Sequence, residues 1–176
     1  IAESLSPNPD SLHGTMHFMR ESILNLFFRG LIGHLRPTLI YGPGDPHNGY
    51  GPNLFISDAL QHKEISLFGV GEEMRDHIYI DDVARIGSEM VRKTYTGPLN
   101  AASGNVISFL DIANIVCEFV SETKIRYLKR KGPMPHNGYR AFNTSRLIDK
   151  DILLSPVPIR NGILSTIEFR LEEMKS

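Results

Sequence analysis

The sequence predicts an α/β protein, and three observations carry that expectation. Short apolar runs of strand length alternate with longer segments whose apolar residues recur at helical spacing. Glycines and prolines punctuate the joints between them. One joint stands out: residues 36 to 53, where Leu39, Ile40 and Tyr41 stop abruptly at Gly42-Pro43-Gly44-Asp45. The remainder interleaves Pro46, Gly49, Gly51 and Pro52 with His47, Asn48 and Tyr50. That pattern reads as a buried strand feeding a long loop rich in hydrogen-bonding groups. Open α/β sheets bind their ligands at such carboxyl ends.

In order along the chain, residues 1 to 11 are polar and hold Pro7 and Pro9, so they form a loop. Ser11 is a candidate cap for a helix over 13 to 28, with Met16, Phe18, Met19, Ile23, Leu24, Phe27 and Phe28 as its apolar positions. These residues spread widely enough around the helix to suit burial on two sides. Leu35 to Tyr41 reads as a strand. Asn53 is placed to cap a short helix to about Gln61, and Ile65 to Phe68 is a brief strand closed by Gly69-Val70-Gly71. Arg75 to Ile80 alternates as another strand. Asp81 or Asp82 then caps a helix to about Lys93, with Val83, Ile86, Gly87, Met90 and Val91 as its stripe. Gly97 to Ala101 is a strand. Ser108 with Asp111 resembles a capping box, opening a helix through Val120. Lys124 to Leu128 reads as a strand, Thr144 or Ser145 starts a short helix, and a last helix begins near Asn161.

At 176 residues and 41 % hydrophobic, the chain is long enough for one real core and a small appendage. A formal net charge of −1 without a basic stripe argues against nucleic acid as a partner. No apolar run reaches the roughly 18 residues of a membrane span, so no membrane partner is expected. Cys117 sits in a helical apolar pattern and has no second cysteine to pair with, so a buried, inert thiol is expected. A soluble, cytoplasmic protein of a reducing compartment is the resulting expectation.

Two glycine clusters fail as dinucleotide cradles. Gly69-Val70-Gly71 runs into Glu72 and Glu73 instead of a third glycine opening a helix, and the proline of Gly42-Pro43-Gly44 removes an amide donor. The five residues Pro46 to Tyr50 recur as Pro135-His136-Asn137-Gly138-Tyr139. Two readings stay open: chance between turn-rich loops, or two loops lining one polar pocket. A helix would set His13 and His17 on one face, a spacing able to hold a metal. No third ligand or HExxH pattern accompanies them, so no metal site is expected.

Five motifs in order carry a family resemblance. The helix start around His13-Gly14, with His17, Arg20 and Glu21, is similar to the Tyr-Gly-x-x-Lys catalytic helix of extended short-chain dehydrogenase/reductases. Leu35 to Asp45 resembles their "LRPxxxYGPGD" segment, and Phe68 to Ala84 their "fGdGxqxRDfiyVdDva". Leu99 to Gly104 resembles "yNigsG", and Ser108 to Ala113 "vsxxeia". The family includes the NAD-dependent nucleotide-sugar epimerases and dehydratases, and the likeness is to its C-terminal part. The glycine-rich pyrophosphate turn and the strand with the catalytic Ser or Thr would lie upstream, so the chain is expected to be a fragment.

The resemblance implies the C-terminal portion of a Rossmann-like parallel sheet with a small α/β substrate-binding lobe. Residues 1–42 would end the dinucleotide-binding domain and 43–176 would be mainly the lobe, with 75–101 returning to the Rossmann sheet. NAD or NADP is the implied cofactor, a nucleotide-diphosphate sugar the substrate, and a homodimer the assembly, with the helix near His13 at its interface. The implied activity is epimerase, dehydratase or reductase chemistry by transient hydride transfer. His13 and His17 stand where the family has Tyr and Lys, and would serve as catalytic and cofactor-binding residues. Imidazole can do acid–base work near neutral pH. Pro37 and Thr38 would lie beside the nicotinamide. Arg75 and Arg140 would approach the diphosphate, and Asn53 the substrate.

Each assignment has a plainer competitor. Arg75 could pair with Asp76, Asp81 or Asp82, Arg140 could simply be exposed, and Asn53 could only cap its helix. Arg36 could pair with an acidic neighbour. For the whole chain the competing function is an inactive nucleotide-sugar-binding or structural remnant.

Overall fold

The computed structural model describes residues 1 to 176 except 47, 154 and 176. Its elements begin α1 (Leu12–Phe27), β1 (Gly33–Pro37), β2 (Leu39–Tyr41), α2 (Pro52–His62), β3 (Glu64–Phe68) and β4 (Met74–Tyr79). They continue with α3 (Ile80–Arg92), β5 (Gly97–Ala101), β6 (Val106–Ser108), α4 (Phe109–Phe119) and β7 (Lys124–Leu128). A 3-10 turn at Pro135–Gly138 leads into β8 (Tyr139–Arg140), α5 (Ser145–Asp149) and α6 (Ile159–Glu173).

The strands form three groups. β1 and β5 pair in parallel from Gly33↔Gly97 to Pro37↔Ala101. β4 is the hub of the second group: its first half is flanked by antiparallel β6 and parallel β8, and its second half pairs in parallel with β2. β3 and β7 make a third, parallel pair. The mixed α/β class predicted from the sequence is the one observed.

The larger core fills the space between α2, β3, α4 and α6, where Phe55, Ile65, Leu67, Ile112, Val116 and Ile163 are fully buried. A smaller one, with Ile78, Ile86, Met90, Leu99 and Leu147, lies between α3, α5 and the strands β4 and β5. Gly162 has a packing reason: a Cβ there would run into the Tyr41 ring and hydroxyl. Gly42 has a backbone reason, since its φ of 143° lies where L side chains are strained. The abrupt end of the apolar run at that residue is therefore a conformational stop.

Several expectations need correction. The strand over 35 to 41 is two strands in different sheets, divided at Thr38. Its N–H donates to the Ala101 carbonyl at 3.0 Å, and its hydroxyl to the Asp76 carbonyl at 2.9 Å. The single residue thus hands the chain from β5 to β4, a crossing that periodicity cannot show. Asn53 does not cap α2. Gly51 holds that position with Pro52 first in the helix, and Asn53 lies inside, 3 % exposed. Nor do Asp81 or Asp82 cap α3, which begins a residue earlier after Tyr79. Asp82 is instead fully buried, accepting from the Val157 N–H at 2.8 Å and paired with Arg85. The strands β6 and β8, three and two residues long, are too short for a period to reveal. Cys117 is half-buried rather than buried, and that burial pushes its thiol upward.

α1 differs from its neighbours. Ser11 caps it, its Oγ accepting from the Gly14 N–H at 3.1 Å, yet none of its residues is buried. Leu26 and Phe27 are 66 % and 76 % exposed. Polar contacts tie it to β1. Arg36 grips Glu21 with two hydrogen bonds of 2.9 and 2.5 Å, and His34 Nε2 meets Asn25 Oδ1 at 2.9 Å. That grip holds the Glu21 carboxyl below the usual carboxylate range. Among the described residues no helix is long and apolar enough to cross a membrane.

Candidate functional site

The parallel register of β4 and β8 sets Arg75 directly opposite Arg140. β4 is held in place beneath them by Asp76, 1 % exposed, which accepts from the Ser103 N–H and hydroxyl and the Gly104 N–H at 2.8 to 2.9 Å. Burial raises the Asp76 carboxyl, and those three donors oppose the rise.

Arg75 is buried, with three of its N–H groups engaged. Nη1 donates to the Met74 carbonyl at 2.7 Å, and Nη2 to Glu73 and to the Pro135 carbonyl at 2.8 Å. Its ion-pair partner is therefore Glu73 and none of Asp76, Asp81 or Asp82. Burial, reinforced by Arg140 and Arg130, lowers its guanidinium, while Glu73 opposes. Arg130 completes the cluster, reaching the other Glu73 oxygen at 3.0 Å. Arg140 donates from Nη1 to His136 Nε2 at 2.9 Å and lies over the Phe142 ring. The Nε atoms of Arg130 and Arg140 are buried without a hydrogen-bond partner among the described residues.

His77 shares the Arg75 face of β4, two residues on. It is 5 % exposed, and both its ring nitrogens are buried without a hydrogen-bond partner among the described residues. Its ring meets Phe109 edge-on at 5.7 Å, and a Cβ on Gly51 would stand 3.4 Å from Nε2. Burial pushes the imidazole down to about 4.

The Gly42–Asn53 loop is held by Asn53. Its Oδ1 accepts from the Gly42 N–H at 3.1 Å, and its Nδ2 donates to the Gly42 carbonyl at 3.2 Å and to Asp45 at 2.8 Å. Tyr50 packs against Phe55, Phe68 and Phe109 and accepts from the Phe68 N–H at 3.1 Å. The two five-residue echoes differ in conformation. His136, Asn137 and Gly138 are successively left-handed, while Asn48 is left-handed and Gly49 is not. His47 lies outside the described residues. The second loop meets Arg75 through Pro135, and the first reaches Arg170 through Asn48 at 3.3 Å.

His13 and His17 are exposed on α1, and their Nε2 atoms lie 3.1 Å apart. One ring donates and the other accepts, in a direction set by the tautomers. Pro37 is exposed at the carboxyl end of β1 and Thr38 half-buried beyond it. Neither Pro37 nor either imidazole is covered by the described residues. At Gly69–Gly71, by contrast, Glu72 folds back to accept from the Val70 N–H at 2.9 Å, closing that turn to a pyrophosphate.

Three groups of mainly parallel strands joined by helices place the chain in the α/β class. Residues 3–102, more than half its length, match the model of the NAD dependent epimerase/dehydratase family, and the chain belongs to that family. It is 32 % identical over 144 residues to a probable dTDP-glucose 4,6-dehydratase of Sinorhizobium fredii, covering 71 % of this chain and 40 % of that protein. It is 30 % identical to a dTDP-L-rhamnose 4-epimerase of Burkholderia thailandensis, with 77 % and 40 % covered. The chain thus spans about 40 % of the length of these curated relatives. Its fold matches a UDP-glucose 4-epimerase of Thermotoga maritima solved with UDP-glucose (TM-score 0.83, 22 % identity, 99 % of this chain and 58 % of that one). It also matches a UDP-glucuronic acid 4-epimerase of Bacillus cereus solved with NAD (TM-score 0.84, 20 % identity, 100 % and 57 % covered).

Sequence reasoning named Arg75 and Arg140, but not Glu73, Arg130 or His77. Arg130 lies in a basic segment, residues 129 to 133, broken by Gly132 and Pro133, where nothing singles it out. The alternation of residues 75 to 80 sets His77 on the face opposite Ile78 and Ile80, so no sequence signal marks it as buried.

Proposed function

We propose that this chain forms the substrate-binding part of a nucleotide-sugar epimerase, dehydratase or reductase that works with NAD or NADP. One observation carries the reading: β4 and β8 hold Arg75 and Arg140 opposite each other, a spacing suited to gripping the two phosphates of a nucleotide-diphosphate sugar. Asn53 fixes the loop that faces the sugar. The bound nicotinamide supplies reversible hydride exchange with a sugar carbon. Pro37 and Thr38 border the nicotinamide, and the His13–His17 pair moves the proton of the reacting hydroxyl. With its rings already bonded, the pair can accept a proton at one nitrogen and share it across the other. Residues 1–42 complete the dinucleotide domain in this reading, 43–176 form mainly the lobe, and a homodimer meets along α1, whose apolar side chains are exposed.

A second reading is favoured by the same histidines: the chain binds the nucleotide sugar without turning it over, because no lysine stands beside His13. Titrating the full-length protein with UDP-glucose separates the possibilities. Arg140→Met is expected to weaken binding about tenfold or more, and unchanged affinity would sink the diphosphate assignment. If binding is intact but turnover appears only in the His13→Tyr, His17→Lys double variant, the binding-only reading holds.

A further inference from the structure

Three of the five N–H groups of Arg75 are taken by protein acceptors, both of those on Nη2 among them, so an anion that binds through Nη2 must displace one of them. Two of the three, the Met74 and Pro135 carbonyls, are backbone and fixed by the β4·β8 pairing. The third is the carboxylate of Glu73, carried on a side chain 9 % exposed. Its second oxygen already rests on Arg130 Nη1 at 3.0 Å, so a carboxylate leaving Arg75 would keep a cationic partner and avoid the large cost of an unpaired buried charge. Arg140, opposite, has a buried Nε–H without an acceptor among the described residues. Glu72 stands 3.9 Å from Arg130, but its carboxylate is turned to the Val70 amide.

We propose that Glu73 is a built-in competitor for the diphosphate: it occupies Arg75 in the empty site and swings onto Arg130 when an anion binds. This rests on the diphosphate reading of Arg75 and Arg140, and adds to it a regulatory carboxylate and a third arginine that receives it. The arrangement keeps the arginines ordered between ligands and holds affinity below what two free guanidiniums would give.

The test is calorimetric titration of the full-length protein with inorganic pyrophosphate at fixed ionic strength. Glu73→Gln should bind about tenfold tighter than wild type, because a neutral amide competes less well for a guanidinium. Arg130→Met should bind several-fold more weakly, because the released carboxylate then has no partner. Equal or weaker binding by Glu73→Gln would overturn the proposal, making Glu73 a fixed support for Arg75 instead. If that variant does not fold, unchanged affinity in Arg130→Met overturns it. Should wild type bind pyrophosphate, Arg75→Met lose it and Glu73→Gln match wild type, the diphosphate reading survives and the competitor does not. If neither wild type nor variant binds, both fall together.

Discussion

The lobe around α2, α4 and α6 and the edge formed by α1 and β1 are held together by opposite means. In the lobe, three helices bury Phe55, Ile112, Val116 and Ile163 completely against β3. At the edge, α1 buries none of its residues and is fastened by Arg36–Glu21 and His34–Asn25. The lobe draws its stability from apolar burial, which is non-directional and large. The edge relies on a few directional polar contacts that set the position of α1 while leaving its apolar side chains free for another surface. The proposed proton-transfer groups ride on the weakly held edge, and the proposed anion-binding groups on strands backed by the lobe.

The contrast can be broken most forcefully in the core. Phe55→Ala should destabilise the protein by about 3–5 kcal/mol in chemical denaturation, whereas Leu26→Ala on α1 should cost under about 0.5 kcal/mol. A comparable loss at both sites would erase the distinction. Next comes acid. His77 titrates near 4 when folded against 6.5 for the free side chain, so the fold favours its neutral form. Its contribution is complete above pH 6.5 and is lost as pH falls through about 4, an effect of about 3 kcal/mol. Denaturation midpoints from pH 7.5 to 4 should show this loss, and His77→Phe should flatten it; a profile the variant leaves unchanged would remove His77 as the cause. Smaller again is the fastening of α1. Arg36→Met should cost about 1 kcal/mol, because both partners are about a quarter exposed and solvent screens the pair. Amide exchange in residues 12–27 should quicken more than exchange in 52–62, and equal changes would mean that the edge and lobe open as one unit. The smallest effect is expected at Arg92→Gln, whose guanidinium pairs with Glu89 on the surface of α3 and is itself 64 % exposed; midpoints within error of wild type are the expected outcome.

What the sequence disclosed follows from the range of the forces involved. α1, α4, β5 and β7 were legible because local periodicity and a side-chain cap specify them. Ser108 does cap α4, its Oγ accepting from the Asp111 N–H at 3.0 Å. Asn53 was misread because Gly51-Pro52 can start the helix themselves, which frees the amide for partners eight and eleven residues upstream. β8 escaped notice because two residues hold no period, yet that pairing sets Arg140 against Arg75. The family motifs led to the arginines, but not to Glu73, whose importance comes from Arg130, distant in sequence and adjacent only after β3 and β7 pair.

Thr38 is bonded to both strand systems at once, through its amide to Ala101 and through its hydroxyl to the Asp76 carbonyl. In mechanical terms it is a rivet through two plates. Any rotation of the β1·β5 plate against the β4 plate loads those two bonds, and the second lies one residue from Arg75. A group pressing on the chain at Pro37 can thus be felt at the arginines without crossing the apolar core. Thr38→Val would keep the shape and remove half of the rivet.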